Sequence, residues 1–253
     1  MGEEGRGVAT IIEMVHHTRL DCVIASASIM RRALVEALHH ARHRRAFGCE
    51  LIGQPLMRNV LADLAVESEA ATVLAMRLAR AFDEGDRAFA RLGVAIGKYW
   101  VAKRTAPHVA EALECLGGNG FVEECMMPRL YREAPLNSIW EGSGNVVALD
   151  ALRAIAKEPE TLDRIMEEIR LAGDPRIERF LAGIAADLSQ GAARRVAERL
   201  ALALQASLLI RVSPPAVADT FCASRLAGDW GHAFGTLPGS APLDAVIAAS
   251  STP

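Results

Sequence analysis

From Val8 to His43 no proline breaks the chain, and apolar residues return every three to five positions: Ile12, Val15, Leu20, Val23, Ile24, Ile29, Leu34, Val35 and Leu38. That spacing marks one face of a helix. At about 1.5 Å per residue the stretch makes a single rod of roughly 50 Å. A rod of that length needs other helices to cover its apolar face.

The rest of the first half supplies them. Gly48, Gly53 and Pro55 punctuate a loop, and Pro55 is well placed to start a second helix reaching about Phe82. Its stripe is Leu56, Val60, Leu64, Ala65, Ala71, Leu74, Leu78 and Ala81. "DEGD" at 83–86 turns into a third helix from about Arg87 to Leu116, where Pro107 marks a kink or a local break. "GGNGF" at 117–121 reads as a loop, because clustered glycines oppose a helix. A short segment, "PRLYREAP", follows, and Gly142 and Gly144 precede a fourth helical pattern beginning near Asn145. The Ala- and Leu-rich composition, with 5% aromatics, favours helices over a sandwich or barrel.

The fold class is all-α: a four-helix up-and-down bundle over residues 1–157 with an appended helical tail over 158–253. In the tail, "GDPRIERFLAGIAADL" and "SPPAVADTFCASRLAG" carry proline helix starts. The closing stretch, rich in Gly, Ala, Pro and Ser, is expected to fray.

A net charge of -3 demands no polyanionic partner. The five cysteines are widely spaced, as expected of free thiols in a reducing cytoplasm. No apolar run is long enough for a membrane helix, and "MGEEGRG" lacks the apolar stretch of a signal peptide. The chain enters its first helix at once, like a domain boundary with something missing in front. His39 and His43 stand at i, i+4, but no acidic partner in a zinc-protease pattern accompanies them, so no metal is expected.

Four separated motifs carry a resemblance: "GEEGRG" leading into "HTRLD", "RRAFG" followed by Gln54-Pro55, "ECLGGNGF", and "YREAPLNSIWEGSGN". In this order they resemble the carboxy-terminal helical domain of the acyl-CoA dehydrogenase family, over about residues 2–155. "NSIWEGSGN" followed by "LDALRA" and a helical tail is closest to the adaptive-response (AidB-like) branch. The resemblance implies FAD as cofactor, an acyl-CoA substrate, and assembly into dimers or tetramers. It also implies an amino-terminal helical domain and a β-domain ahead of this chain.

α,β-Dehydrogenation of an acyl thioester removes a weakly acidic α-proton and a β-hydride. A carboxylate shielded from water suits the proton. Glu141 follows the apolar pair Ile139 and Trp140, a setting that would raise its pKa by desolvation. By resemblance Glu141 stands at the family's commonest base position. The alternative position, on the first helix, holds Thr18, which cannot serve as a carboxylate base.

The resemblance assigns other residues to the cofactor. Arg44 would reach a flavin diphosphate, commonly that of a neighbouring subunit, although Arg45 leaves open which arginine points inward. Phe47 would pack near the cofactor and Gln54 near its adenine side. Gly117 and Gly118, with Gly120, would let backbone approach the nucleotide. Ser143 and Asn145 replace longer family residues. Glu114 stands where many relatives carry glutamine and would repel a diphosphate. Arg19 and Trp140 fall to the acyl-CoA side.

Three functional readings follow. One is an FAD-dependent acyl-CoA dehydrogenase fragment acting on CH–CH donors. Another is a DNA-binding, alkylation-response protein with weak or vestigial flavin chemistry. The tail's 11 Lys+Arg against 12 Asp+Glu over 151–253 give that no support, although Arg194, Arg195 and Arg199 form a local cluster. The last is an inactive remnant.

Overall fold

A computed structural model describes residues 4–184 and 188–250. Residues 1–3, 185–187 and 251–253 lie outside it, including the start of "GEEGRG" and part of "GIAADL". The long rod is α1, Gly7–His43. It ends at a two-stranded antiparallel hairpin, β1 Arg45–Ala46 and β2 Cys49–Glu50. Then come α2 Pro55–Asp83 and α3 Arg87–Glu114. Gly85, at φ +69°, turns the chain between them, and the Asp86 carboxylate caps α3 by accepting from the Phe89 N–H at 3.1 Å.

α1 packs against both α2 and α3, and α3 also packs against α6, Gly144–Lys157. α2 and α3 approach closely because α3 presents glycines where they meet. A Cβ on Gly93 or Gly97 would stand 2.9 or 2.8 Å from the methyls of Leu78. Between them lie Leu61, Leu64, Leu74, Phe89, Leu92 and Ile96, all fully enclosed.

The tail continues with α7 Glu160–Arg170, α8 Pro175–Leu181, α9 Ala193–Val212, α10 Pro215–Phe221 and α11 Leu243–Ala249. Asp174 and Pro175 start α8 as "GDP" indicated, with Asp174 accepting from the Arg176 N–H at 2.8 Å. α9 lies against α2, α3 and α6 and buries Ala197, Leu200, Ala203, Leu204 and Leu209 in the core shared with them.

The structure corrects several expectations. α3 runs unbroken through Pro107, which leaves the Lys103 carbonyl without its usual N–H partner. "GGNGF" contains one helical turn, α4 Gly118–Phe121, entered through Gly117 at φ +61° and ψ −141°. Gly120 is enclosed there, and a Cβ would stand 2.4 Å from the Leu113 carbonyl oxygen. Ile12, Val35 and Leu56, assigned to buried stripes, are exposed, Leu56 at 83% because it lies in the first turn of α2 beyond the covering helices.

The closing stretch does not fray over its described residues. α11 packs on α2, and Phe234, Leu237, Val246 and Ile247 are buried. Asp63 of α2 anchors the segment before it, accepting from Trp230 Nε1 at 3.0 Å and the Gly235 N–H at 2.9 Å. The same carboxylate pairs with Arg225.

Candidate active site

After α5, Met127–Glu133, the chain makes a 3-10 turn at Leu136–Ser138 and reaches Glu141 before α6 begins. Glu141 and Gly142 both hold positive φ, +56° and +105°. A non-glycine residue there stores strain and persists only where its surroundings impose the conformation. Here they do so through three successive carbonyls. Lys98 Nζ donates to the Trp140 oxygen at 2.7 Å and the Gly142 oxygen at 2.6 Å. Arg19 Nε donates to the Glu141 oxygen at 2.9 Å.

Arg19 is itself fixed. Its Nη1 pairs with Asp150 of α6 at 2.6 Å, and Arg91 of α3 takes the other Asp150 oxygen at 3.0 Å. Burial alone would raise the Asp150 carboxyl, but Arg91 and Arg19 outweigh it and hold the group below its usual range. Burial pushes the Lys98 ammonium down and the neighbouring Cys22 thiol up.

The Glu141 carboxylate itself has no hydrogen-bond or ion-pair partner among the described residues. The apolar wall expected from Ile139 and Trp140 does not enclose it in this chain. Their exposures are 63% and 50%, and Trp140 turns its Nε1 to Asn137 at 3.1 Å. Thr18 binds its own helix, at the Val15 carbonyl, 3.2 Å away.

A second group forms a separate cleft of about 320 Å³, in which Arg44, Glu114, Gly117, Gly118 and Asn119 converge. The choice between the two arginines is decided by their surroundings. Arg45 pairs with Glu50 across the hairpin, whereas Arg44 has no ion pair among the described residues and lines the cleft. A free guanidinium beside glycine backbone suits phosphate oxygens. Glu114 shares the cleft and opposes them.

Phe47 sits at the hairpin tip at φ +54°, 92% exposed. Gln54 holds the hairpin from below, its Nε2 donating to the Ala46 oxygen at 3.4 Å. Gly117 and Gly118 have open space where a Cβ would stand. Ser143 precedes α6 without capping it through its side chain. Asn145 accepts from Arg194 Nε at 2.8 Å, and Lys103 closes over Gly144. Ser143, Asn145 and Glu141 do not line the Arg44 cleft.

The chain matches, over residues 5–156, the family described as acyl-CoA dehydrogenase, C-terminal domain. The chain belongs to the acyl-CoA dehydrogenase family. It is 40% identical to the putative acyl-CoA dehydrogenase AidB of Escherichia coli, over 88% of this chain and 43% of that protein. With acyl-CoA dehydrogenase family member 11 of Caenorhabditis elegans it shares 31% identity over 86% of this chain and 35% of the relative. The chain thus spans less than half the length of these curated relatives. Among solved structures, C. elegans ACDH-11 in complex with C11-CoA superposes with a TM-score of 0.77 at 25% identity, over 90% of this chain and 45% of the other. An acyl-CoA dehydrogenase from Bacillus anthracis complexed with FAD shares the fold, with a TM-score of 0.72 at 18% identity over 98% of this chain and 53% of that one.

Sequence reasoning missed Lys98 and Asp150. A signal for Lys98 exists: it is a lone cation inside the apolar row Val94, Ala95, Val101 and Ala102. For Asp150 the sequence shows only its i,i+3 spacing to Arg153, an exposed partner at 3.4 Å, while the two partners that bury it, Arg19 and Arg91, lie on α1 and α3.

Proposed function

We propose that this chain is the catalytic helical portion of an FAD-dependent acyl-CoA dehydrogenase, with Glu141 as the base that removes the α-proton of an acyl thioester. The observation that carries the reading is the asymmetry at Glu141: its backbone is clamped and its carboxylate is left without a partner. A base must be oriented yet free to take a proton. When bound, FAD supplies the hydride acceptor.

Arg44 fits the cofactor diphosphate, Gly117 and Gly118 leave room for backbone approach, and Phe47 and Gln54 border the same region. Ser143 and Asn145 stand at the start of α6, where polar contacts to the cofactor belong. Trp140 lies on the acyl-CoA side, and Arg19 serves that side through the backbone it holds. Residues 1–157, with α1, α2, α3 and α6 as an up-and-down four-helix bundle, form the working unit, and 158–253 brace it. Exposed Phe47 and Leu56 favour assembly with further copies. A cytoplasmic setting fits the free thiols.

The alkylation-response reading, through DNA, draws no support from the arginine cluster. Arg194 is engaged with Asn145 and Arg199 donates to the Phe180 carbonyl. Absorbance of the purified chain is the test. A stoichiometric flavin band that acyl-CoA bleaches, and that Glu141→Gln no longer bleaches, supports the proposal. A chain without flavin or turnover sinks it.

A further inference from the structure

Lys98 is enclosed at 2% exposure, and its ammonium has no carboxylate within salt-bridge distance among the described residues. Its two hydrogen bonds go to neutral carbonyls, those of Trp140 and Gly142, which flank Glu141. The charged groups facing it are Arg19 from α1 and Glu141 from the loop, with the Cys22 thiol also on α1. A buried ammonium without a counter-ion is an expensive way to fill space that methionine would fill without charge.

What Lys98 gives in return is position. Glu141 and Gly142 are consecutive residues at positive φ. Arg19 holds only the middle carbonyl of the three. With Lys98 gone, the segment would be tethered at that one point, free to turn about it and relax the Glu141 backbone.

We propose that Lys98 is a positioning residue for Glu141, fixing the peptide units on both sides of the base so that its carboxylate is presented in one orientation. It acts through the backbone and touches no substrate. The inference rests on the reading of Glu141 as the base.

The test compares the full chain with Lys98→Met by amide hydrogen exchange and by acyl-CoA turnover. Exchange across 139–145 should accelerate about tenfold or more as two charge-assisted bonds are lost, while the α3 amides stay within about twofold. Turnover should lose about tenfold in kcat with KM within about twofold. Unchanged loop exchange in a folded variant overturns the proposal. So does acceleration spread evenly along α3, or a loss carried by KM alone. If Lys98→Met does not fold, Lys98→Gln, which keeps neutral N–H donors on a shorter side chain, is read by the same criteria. Loop release in the variant, with no turnover in the wild type, upholds the positioning and removes the base reading instead.

Discussion

Arg19 and Glu141 are joined by a hydrogen bond from a guanidinium Nε to a backbone oxygen, 2.9 Å long and spanning 122 positions of sequence. The same guanidinium reaches Asp150 through Nη1 at 2.6 Å. One planar group therefore ties α1 to α6 and to the loop between α5 and α6. Lysine would offer a single nitrogen, whereas the guanidinium reaches the two acceptors with separate nitrogens, Nε and Nη1. Arg19→Lys should destabilise the chain by about 1–3 kcal/mol, with lowered protection of residues 139–145. Urea unfolding measures the first and hydrogen exchange the second. An unchanged midpoint would show that Arg91 and Arg153 suffice for Asp150.

Arg225 is held by Asp63 at 2.5 Å and Glu67 at 2.9 Å, all three nearly inaccessible. Arg225→Met leaves two buried carboxylates short of a cation, although Arg104 still reaches Glu67 at 3.1 Å. A loss of about 3–5 kcal/mol is expected in urea unfolding. Release of the 228–250 segment, read by limited proteolysis, should accompany it, because Trp230 and Gly235 are anchored on the same Asp63.

Acid should act in two windows. Burial pushes His108 down to about 4, so the unfolded chain takes up its proton first, and stability falls as pH drops from about 6.5 to about 4, by about 3 kcal/mol. Burial alone would raise Glu67, but Arg104 and Arg225 overcome it and hold it at about 2. Its contribution is present above about 4.5 and is lost as pH falls toward 2. Stability measured against pH should show both phases, and His108→Gln should flatten only the upper one.

Phe47 and Gly48 form a two-residue hairpin loop with φ +54° and +92°, the type I′ turn that prefers Asn-Gly. Phe47→Asn should raise the stability of the isolated chain by about 0.5–1 kcal/mol in thermal unfolding. If Phe47 serves the cofactor or another copy, the same variant should weaken flavin retention or self-association in sedimentation. A variant that lowers stability would show that the exposed ring contributes to the fold.

Gly120 has no room for a side chain against the Leu113 carbonyl. Gly120→Ala should cost about 2 kcal/mol or more and shift the cleft that Gly117 and Gly118 line. Circular dichroism melts and the flavin content of the variant check the two parts.

Much of this was written along the chain. The periods of α1, α2 and α3, the proline starts of α2, α8 and α10, and the family motifs are local patterns, and each marked an element found in place. Local patterns also led astray. Three glycines opposed a helix at 117–121, yet one turn forms there, because Gly117 supplies a backbone angle that redirects the chain and Gly120 fits under Leu113. A small-residue closing stretch looked loose, yet it is held by Asp63, a residue more than 150 positions earlier.

The amino-acid sequence by itself determined that the chain is helical, where its long helices run, which family it belongs to, and that Glu141 is the carboxylate to examine. Periodicity and motif spacing are near-neighbour properties, and near neighbours are what a sequence displays. Only the tertiary structure decided that Arg44 rather than Arg45 faces the glycine cleft, that Asp150 fixes Arg19, and that an enclosed Lys98 grips the carbonyls on both sides of Glu141. Those contacts join helices that meet only when the core closes, and the low dielectric of that core makes each of their charges costly to leave without a partner.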